Sequence, residues 1–174
     1  MPFAQHPRPE TLLSLADAKP LPFWLDDPDR PAAAAALTTP ITTDLTIVGA
    51  GFTGLWTALL AKETDPARDI VLIEASEAAI GATGRNGGFV SASLTHGFEN
   101  GLKRWPNELA NLIRFGHANL DAIESTVTRL PIDCDFERPG ELLVATEPYQ
   151  VDHLRARIER VARYGEQLEW IDQA

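Results

Sequence analysis

Short apolar runs alternate with helix-forming runs in the middle of the chain. Residues 44–48 are mainly β-branched and apolar, and they lead directly into a glycine-rich stretch. Residues 55–62 are good helix formers that end before Asp65-Pro66, and residues 70–73 are a second apolar run. The pattern predicts a strand, a tight turn, a helix and a second buried strand, which together form one βαβ unit.

The remaining elements follow from the spacing of apolar positions. Residues 75–90 have no periodicity and hold four glycines, which predicts a functional loop. Helical spacing over residues 106–130 predicts one long helix, or two short ones if Gly116 breaks the pattern. Residues 135–145 predict two strands around an Arg-Pro-Gly turn, and residues 151–168 predict an amphipathic helix.

Proline dominates the first forty residues. Eight of the thirteen prolines lie there, and their fixed φ and missing N–H prevent long helices and central strands. We therefore expect an arm over residues 1–40, with one or two helical turns over residues 11–18. Part of the arm is expected to pack onto the body through an apolar cluster: Leu21, Phe23, Trp24 and Leu25.

Composition and charge narrow the class of protein. With 44% hydrophobic and 23% charged residues, the chain is globular. Its formal net charge of −10 repels phosphate backbones and anionic lipid, so nucleic acid and acidic membranes are poor partners. No apolar run approaches the roughly 20 residues that span a bilayer, and residues 1–10 do not resemble a secretory signal.

Cysteine and histidine usage points away from disulfide and metal chemistry. The single cysteine, Cys134, excludes an internal disulfide, and cytoplasm is the expected compartment. Because Asp133 and Asp135 flank it, we expect a buried structural thiol rather than a reactive one. His117 and His153 lie on predicted helices without partners at metal spacing, so no metal site is expected.

The strongest chemical signal is the first glycine turn, residues 49–54, with the pattern Gly49-x-Gly51-x-x-Gly54. Gly49 permits a tight turn, Gly51 lets a pyrophosphate approach the backbone, and Gly54 with Ala58 lets the helix lie close to the sheet. Glu74 ends the second strand, where a carboxylate accepts hydrogen bonds from ribose hydroxyls and repels a 2′-phosphate. The pattern predicts a site for FAD or NAD rather than NADP. The alternative is a glycine-rich turn without a ligand.

The second glycine loop, residues 81–88, distinguishes between these two cofactors. It reads Gly-Ala-Thr-Gly-Arg-Asn-Gly-Gly and is followed by Phe89. NAD alone has no evident need for such a loop. An extended flavin needs further backbone donors and cationic contacts beside its pyrophosphate and ring, so the loop favours FAD.

Residues 44–89 resemble the amino-terminal flavin-binding region of the FAD-dependent amino-acid and amine oxidoreductases, the family of D-amino-acid, glycine and sarcosine oxidases. Residues 84–88 are most similar to the branch that contains γ-glutamylputrescine oxidoreductase. The resemblance implies hydride transfer from the CH–NH bond of an amine or amino acid to FAD, and it implies that Glu74 holds the adenosine ribose. It places the other cofactor contacts on the two glycine segments: Gly49, Gly51, Phe52, Thr53, Gly54, Thr83, Arg85, Asn86, Gly87 and Gly88.

The resemblance also implies an α/β fold, with the amino-terminal part of a Rossmann-like FAD-binding domain and the start of a substrate domain. We assign residues 1–40 to the Pro-rich arm, residues 41–130 to the Rossmann-like region, and residues 131–174 to a hairpin plus helix of an incomplete second domain. Family members typically have more than twice this length. We therefore expect an amino-terminal fragment, or half of a split enzyme that pairs with a complementary carboxy-terminal polypeptide.

Two alternatives to this interpretation stay open. One is a non-catalytic remnant or interaction module with a Rossmann-like fold, and the other is a compact NAD-binding domain. A yellow preparation that releases flavin on denaturation would favour the flavin-dependent oxidoreductase over both alternatives. No residue is assigned as a catalytic acid or base.

Overall fold

A computed structural model describes residues 8–19 and 21–172 of the chain. The chain divides into two compact units, Met1–Gly88 and Phe89–Ala174. The boundary between them falls inside the region assigned above to one Rossmann-like domain. The assignment of residues 41–130 and 131–174 to separate domains therefore stays a prediction.

A parallel βαβ unit lies at the centre of the first unit. β1 (Leu45–Val48) and β2 (Ile70–Ile73) pair in parallel, with Ile47 opposite Leu72. α2 (Phe52–Thr64) connects them, because parallel strands need a crossover. The predicted order of strand, turn, helix and strand is confirmed, and the two strands form an α/β arrangement with α2.

The arm contributes little regular structure to the first unit. α1 (Pro9–Leu13) is a short helix, and residues 23–25 form a single 3-10 turn. From residue 31 to residue 44 the chain has no helix or strand. Of the predicted apolar cluster, Phe23 is 81% exposed, so its expected packing is wrong, whereas Trp24 and Leu25 do contact the body, as described below.

Helices make up the regular structure of the second unit: α3 (Phe98–Arg104), α4 (Leu109–Arg129) and α5 (Pro148–Ala162). They share a small core, and the rings of Phe98 and Tyr164 meet edge to face at 5.2 Å. None of the helices within residues 8–19 and 21–172 is long and apolar enough to cross a membrane. The core consists of buried side chains from all three helices: Phe98, Leu109 and Val161.

α4 is one continuous helix, and Gly116 does not break it. A Cβ placed on Gly116 would lie 1.6 Å from the carbonyl oxygen of Ala92. Gly116 therefore allows α4 to lie directly against the backbone of a preceding segment. A glycine within a helical pattern here indicates close packing rather than a break.

The predicted hairpin over residues 135–145 is wrong, because residues 130–147 contain no strand. A hairpin without further strands is marginally stable in water, and Pro139 has no N–H for a strand ladder. Arg138 instead donates from Nη1 to Asp121 Oδ1 and Glu124 Oε2 of α4, each at 2.7 Å. These bonds attach the segment to α4.

Two further sequence predictions in the second unit are wrong. Cys134 is exposed rather than buried, because it lies in the segment that forms no strand. α5 ends at Ala162, and Leu168 is exposed rather than facing inward. Gly165, with φ +84°, lies in the left-handed region that ends a regular helix.

Candidate functional site

The first glycine turn begins directly after the last residue of β1. The N–H of Gly49 donates to the carbonyl of Ile73 at 2.8 Å, and Gly49 has φ +99°, a conformation that favours glycine. Gly51 is extended and is the N-cap of α2, and it has no side chain of its own to cap the helix. First-turn N–H groups have no carbonyl partner within a helix, and they lie at its positive end. The turn therefore presents backbone donors beyond the carboxyl ends of the strands.

Gly54 allows α2 to lie close to this turn. A Cβ on Gly54 would lie 1.9 Å from the carbonyl oxygen of Gly49 and 3.4 Å from Cγ2 of Ile47. Ala58, one helical turn later, is half-buried. The role that the glycine pattern predicted for Gly54 is confirmed: its lack of a side chain brings helix, turn and strand together.

The carboxylate of Glu74 links the end of β2 to the first glycine turn. Oε2 accepts a hydrogen bond from the N–H of Ala50 at 2.8 Å, and Oε1 accepts from Ala75 at 2.8 Å and Ser76 at 3.2 Å. A carboxylate has about four lone-pair positions, so one remains for a further donor. The hydrogen bond from Ala50 lowers the pKa of Glu74 most, and the bond from Ser76 has the next largest effect. Desolvation acts in the opposite direction and raises this pKa.

This lowered pKa predicts a dependence of stability on pH. A folded pKa below the ordinary value of 4.5 means that ionised Glu74 stabilises the fold above about pH 4.5. That contribution is lost as the pH falls through the folded pKa. We expect the unfolding temperature to fall more steeply between about pH 5 and about pH 3 than in a Glu74→Gln variant. If the curves of unfolding temperature against pH ran parallel for the two proteins, the lowered pKa of Glu74 would be contradicted.

The second glycine loop meets the first glycine turn at the start of α2. Residues 82–85 form a 3-10 turn, and Oγ1 of Thr83 accepts a hydrogen bond from the N–H of Phe52 at 3.0 Å. A Cβ on Gly51 would lie 3.1 Å from the same Oγ1. The structure thus brings together two segments that are about thirty residues apart in the chain.

Most polar groups of the second glycine loop hold the loop itself. The side-chain amide of Asn86 donates to the carbonyl of Thr83, and its Oδ1 accepts from the N–H of Gly88 at 2.8 Å. Nε of Arg85 donates to the carbonyl of Gly81 at 3.1 Å. Gly88 has φ +79°, again a conformation that favours glycine. These hydrogen bonds therefore define the backbone conformation of the loop.

The arm contacts this loop through side chains that sequence reasoning did not assign to the site. Nε1 of Trp24 donates to the carbonyl of Asn86 at 2.8 Å, and a Cβ on Gly88 would lie 2.5 Å from the Trp24 ring. A Cβ on Gly84 would lie 3.1 Å from Leu25. The signal in the sequence is a tryptophan within the apolar cluster of the arm, because its indole N–H needs a hydrogen-bond partner wherever the ring packs.

These residues fit a dinucleotide cofactor. Backbone donors lie at the positive end of α2, and a Cβ on Gly49 or Gly81 would meet nothing within 4 Å, so space is open there. A carboxylate with a lowered pKa lies at the end of β2. Within residues 8–19 and 21–172, no group of three or more His, Cys, Asp or Glu residues could hold a metal ion.

Comparisons with known proteins agree with this geometry. A family model described as FAD dependent oxidoreductase matches residues 44–174. The chain is 37% identical to "Gamma-glutamylputrescine oxidoreductase" of Escherichia coli (strain K12) over 134 residues, which are 76% of this chain and 31% of that protein. It is 26% identical to "Probable oxidoreductase OrdL" of Haemophilus influenzae over 129 residues, 71% of this chain and 28% of that protein. No solved structure matches significantly.

Two facts follow from the matches. The chain spans less than a third of the length of each of these curated relatives. The matched family is FAD dependent, so the cofactor is FAD, and the alternative of an NAD-binding domain is wrong. The family model covers most of the residues of this chain, and the chain therefore belongs to the FAD-dependent oxidoreductase family.

Proposed function

We propose that this chain is the FAD-binding amino-terminal part of an oxidoreductase that acts on the CH–NH bond of an amine or amino acid. The observation that carries the proposal is the contact between the two glycine segments, where Thr83 meets the first turn of α2. The relative whose name specifies γ-glutamylputrescine supports an amine as substrate. When bound, FAD supplies the acceptor for the hydride.

The first glycine turn and Glu74 would hold the adenosine half of the cofactor. The amide of Thr53, with the close backbone approach at Gly51, suits a pyrophosphate at the positive end of α2. The amide of Phe52 would join it if its hydrogen bond to Thr83 were released. The lone pair that remains on Glu74 accepts one ribose hydroxyl. A second hydroxyl is accepted if the longest backbone bond, 3.2 Å from Ser76, is released.

The second glycine loop would extend the site along the cofactor. Among the described residues, Arg85 makes one hydrogen bond, from Nε, so its remaining guanidinium donors suit the negative charge of the pyrophosphate. Gly87, and the face of Gly88 that the Trp24 ring does not cover, would bring backbone without side chains to the cofactor. Asn86 fixes the loop through its two internal hydrogen bonds.

The substrate site would require surfaces beyond this chain. The curated relatives are more than three times as long as the segment matched here, and no side chain in residues 8–19 or 21–172 is assigned as an acid or base for amine oxidation. We expect residues 1–174 alone to bind FAD weakly and not to oxidise amines. A complementary carboxy-terminal portion would complete the enzyme.

Titration with FAD tests the proposal. We expect the unmodified chain to bind FAD, and Glu74→Gln to bind it at least about tenfold more weakly, because the substitution removes a charge-assisted acceptor. Glu141→Gln is the matched control, since that carboxylate is also exposed and lies in residues 130–147, outside the first unit. Circular dichroism would confirm that both variants fold.

Two outcomes would contradict the proposal. An unmodified, folded chain that does not bind FAD would refute the cofactor site. Equal affinities of the Glu74 and Glu141 variants would remove Glu74 from the cofactor site. Amine-dependent bleaching of the flavin, measured after addition of a candidate carboxy-terminal portion, then tests the class of substrate.

A further inference from the structure

We propose that Trp24 is a positioning residue for the flavin: it fixes the backbone of the second glycine loop and so determines where the donors of that loop meet the cofactor. The inference rests on the FAD site proposed above. It assigns a function to the Pro-rich arm, which lies ahead of the segment that the family model matches.

Two contacts place the indole of Trp24 on one short piece of backbone. Its N–H donates to the carbonyl of Asn86 at 2.8 Å, across 62 positions of sequence. Its ring covers Gly88 so closely that a Cβ there would lie 2.5 Å from Cζ2 and 2.9 Å from Cη2. Polar and apolar parts of one side chain therefore hold adjacent parts of the same loop.

Neighbouring residues of the arm support this attachment. Leu25 packs against Gly84, where a Cβ would lie 3.1 Å from Cδ1. Arg30 donates from Nη1 to Glu77 Oε2 at 2.9 Å and from Nη2 to the carbonyl of Ala78 at 2.8 Å. The arm thus contacts the segment between β2 and Gly88 near both of its ends.

The loop needs such an attachment. Its own side-chain hydrogen bonds are short-range, from Asn86 to Thr83 and from Gly88 to Asn86, and Thr83 is the residue that contacts the first turn of α2. Glycines have more conformational freedom to lose than any other residue. The Trp24 contacts therefore restrict the part of the loop that lies farthest along the chain from Thr83.

The experiment uses two variants of the full chain. Trp24→Phe keeps an aromatic ring and removes the N–H, and Trp24→Ala removes both. Trp105→Phe is the matched control, since Trp105 lies in the second unit and is also partly exposed, at 42% against 50% for Trp24. Hydrogen exchange of the amides at residues 83–88 is measured without ligand. FAD affinity and the visible circular dichroism of the bound flavin at saturation are measured with it.

We expect Trp24→Phe to raise the exchange rates of the loop amides and to weaken FAD binding by about threefold to tenfold, as for one lost hydrogen bond. Trp24→Ala should weaken it further, and both variants should change the visible signal per bound flavin, while Trp105→Phe matches the unmodified chain. Gly88→Ala should also weaken binding. In the Trp24→Ala background its effect should be smaller, because the ring that the new Cβ would strike is absent.

Unchanged exchange in the loop would overturn the attachment. Faster exchange with unchanged FAD affinity and flavin spectrum would overturn the positioning of the flavin and leave a purely structural contact. If the unmodified chain binds no FAD, the proposed function fails and the flavin role of Trp24 fails with it. Hydrogen exchange would still decide whether Trp24 fixes the loop, so the two failures are distinguishable.

Discussion

Gly54→Ala is expected to destabilise the first unit by about 1–3 kcal/mol and to weaken FAD binding by at least about tenfold. The new methyl group would lie 1.9 Å from the carbonyl oxygen of Gly49. Neither that backbone carbonyl nor the first turn of α2 can rotate away as a side chain can. The turn and helix must separate, which would displace the amides that we propose bind the cofactor. Thermal unfolding and FAD titration measure the two effects.

Gly81→Ala is the matched control for this substitution. A Cβ on Gly81 would meet nothing within 4 Å, and its φ of −75° is accessible to alanine. We expect its unfolding temperature to remain close to that of the unmodified chain. The control for FAD affinity is Thr64→Ala, an exposed position at the end of α2 remote from the first glycine turn. A Gly54→Ala variant that behaved like these controls would show that the close approach of α2 to the turn is not required.

Gly116→Ala is expected to destabilise the second unit by about 1–3 kcal/mol, although helix propensity alone predicts the opposite sign. Alanine is favoured over glycine within a helix by about 0.8–1 kcal/mol. A Cβ at this position, however, would lie 1.6 Å from the carbonyl oxygen of Ala92, so overpacking should exceed the gain in propensity. The sign of the change in unfolding free energy therefore tests the packing of α4.

Asn119→Ala, at an exposed position of the same helix, serves as the control. Here alanine improves helix propensity without a new contact, so we expect a slight increase in stability. Stabilisation by Gly116→Ala similar to that of the control would mean that α4 does not lie against the segment around Ala92. Urea unfolding of both variants, with unchanged slopes, measures the difference.

The glycines show how far local sequence predicts a site. The first glycine turn could be predicted because its requirements lie within a few residues: Gly49 needs a positive φ, and Gly54 lies against Gly49. Gly51 differs, because its φ of −84° suits any residue. The close neighbour of a Cβ there is Thr83, a contact that depends on where the second glycine loop folds.

Two of the failed predictions, the hairpin and the burial of Cys134, concern one segment. The pattern over residues 135–145 is compatible with strands, but a strand needs a partner, and these residues instead connect to α4 through Arg138. Cys134 lies in the same strand-free segment, residues 130–147, and is exposed. Periodicity describes which face a segment could bury, and it does not describe whether another element lies there to cover that face.

Sequence by itself determined the βαβ unit, the glycine turn with Glu74 and the resemblance to flavin-dependent oxidoreductases, because these depend on backbone preferences and spacing within about forty residues. Tertiary structure alone decided that Thr83 meets α2, that Trp24 holds Asn86 and Gly88, and that Gly116 packs against Ala92. Each of these contacts joins residues from separate segments. Their partners are selected by three-dimensional packing and by the entropy of closing the intervening chain, which no local pattern encodes.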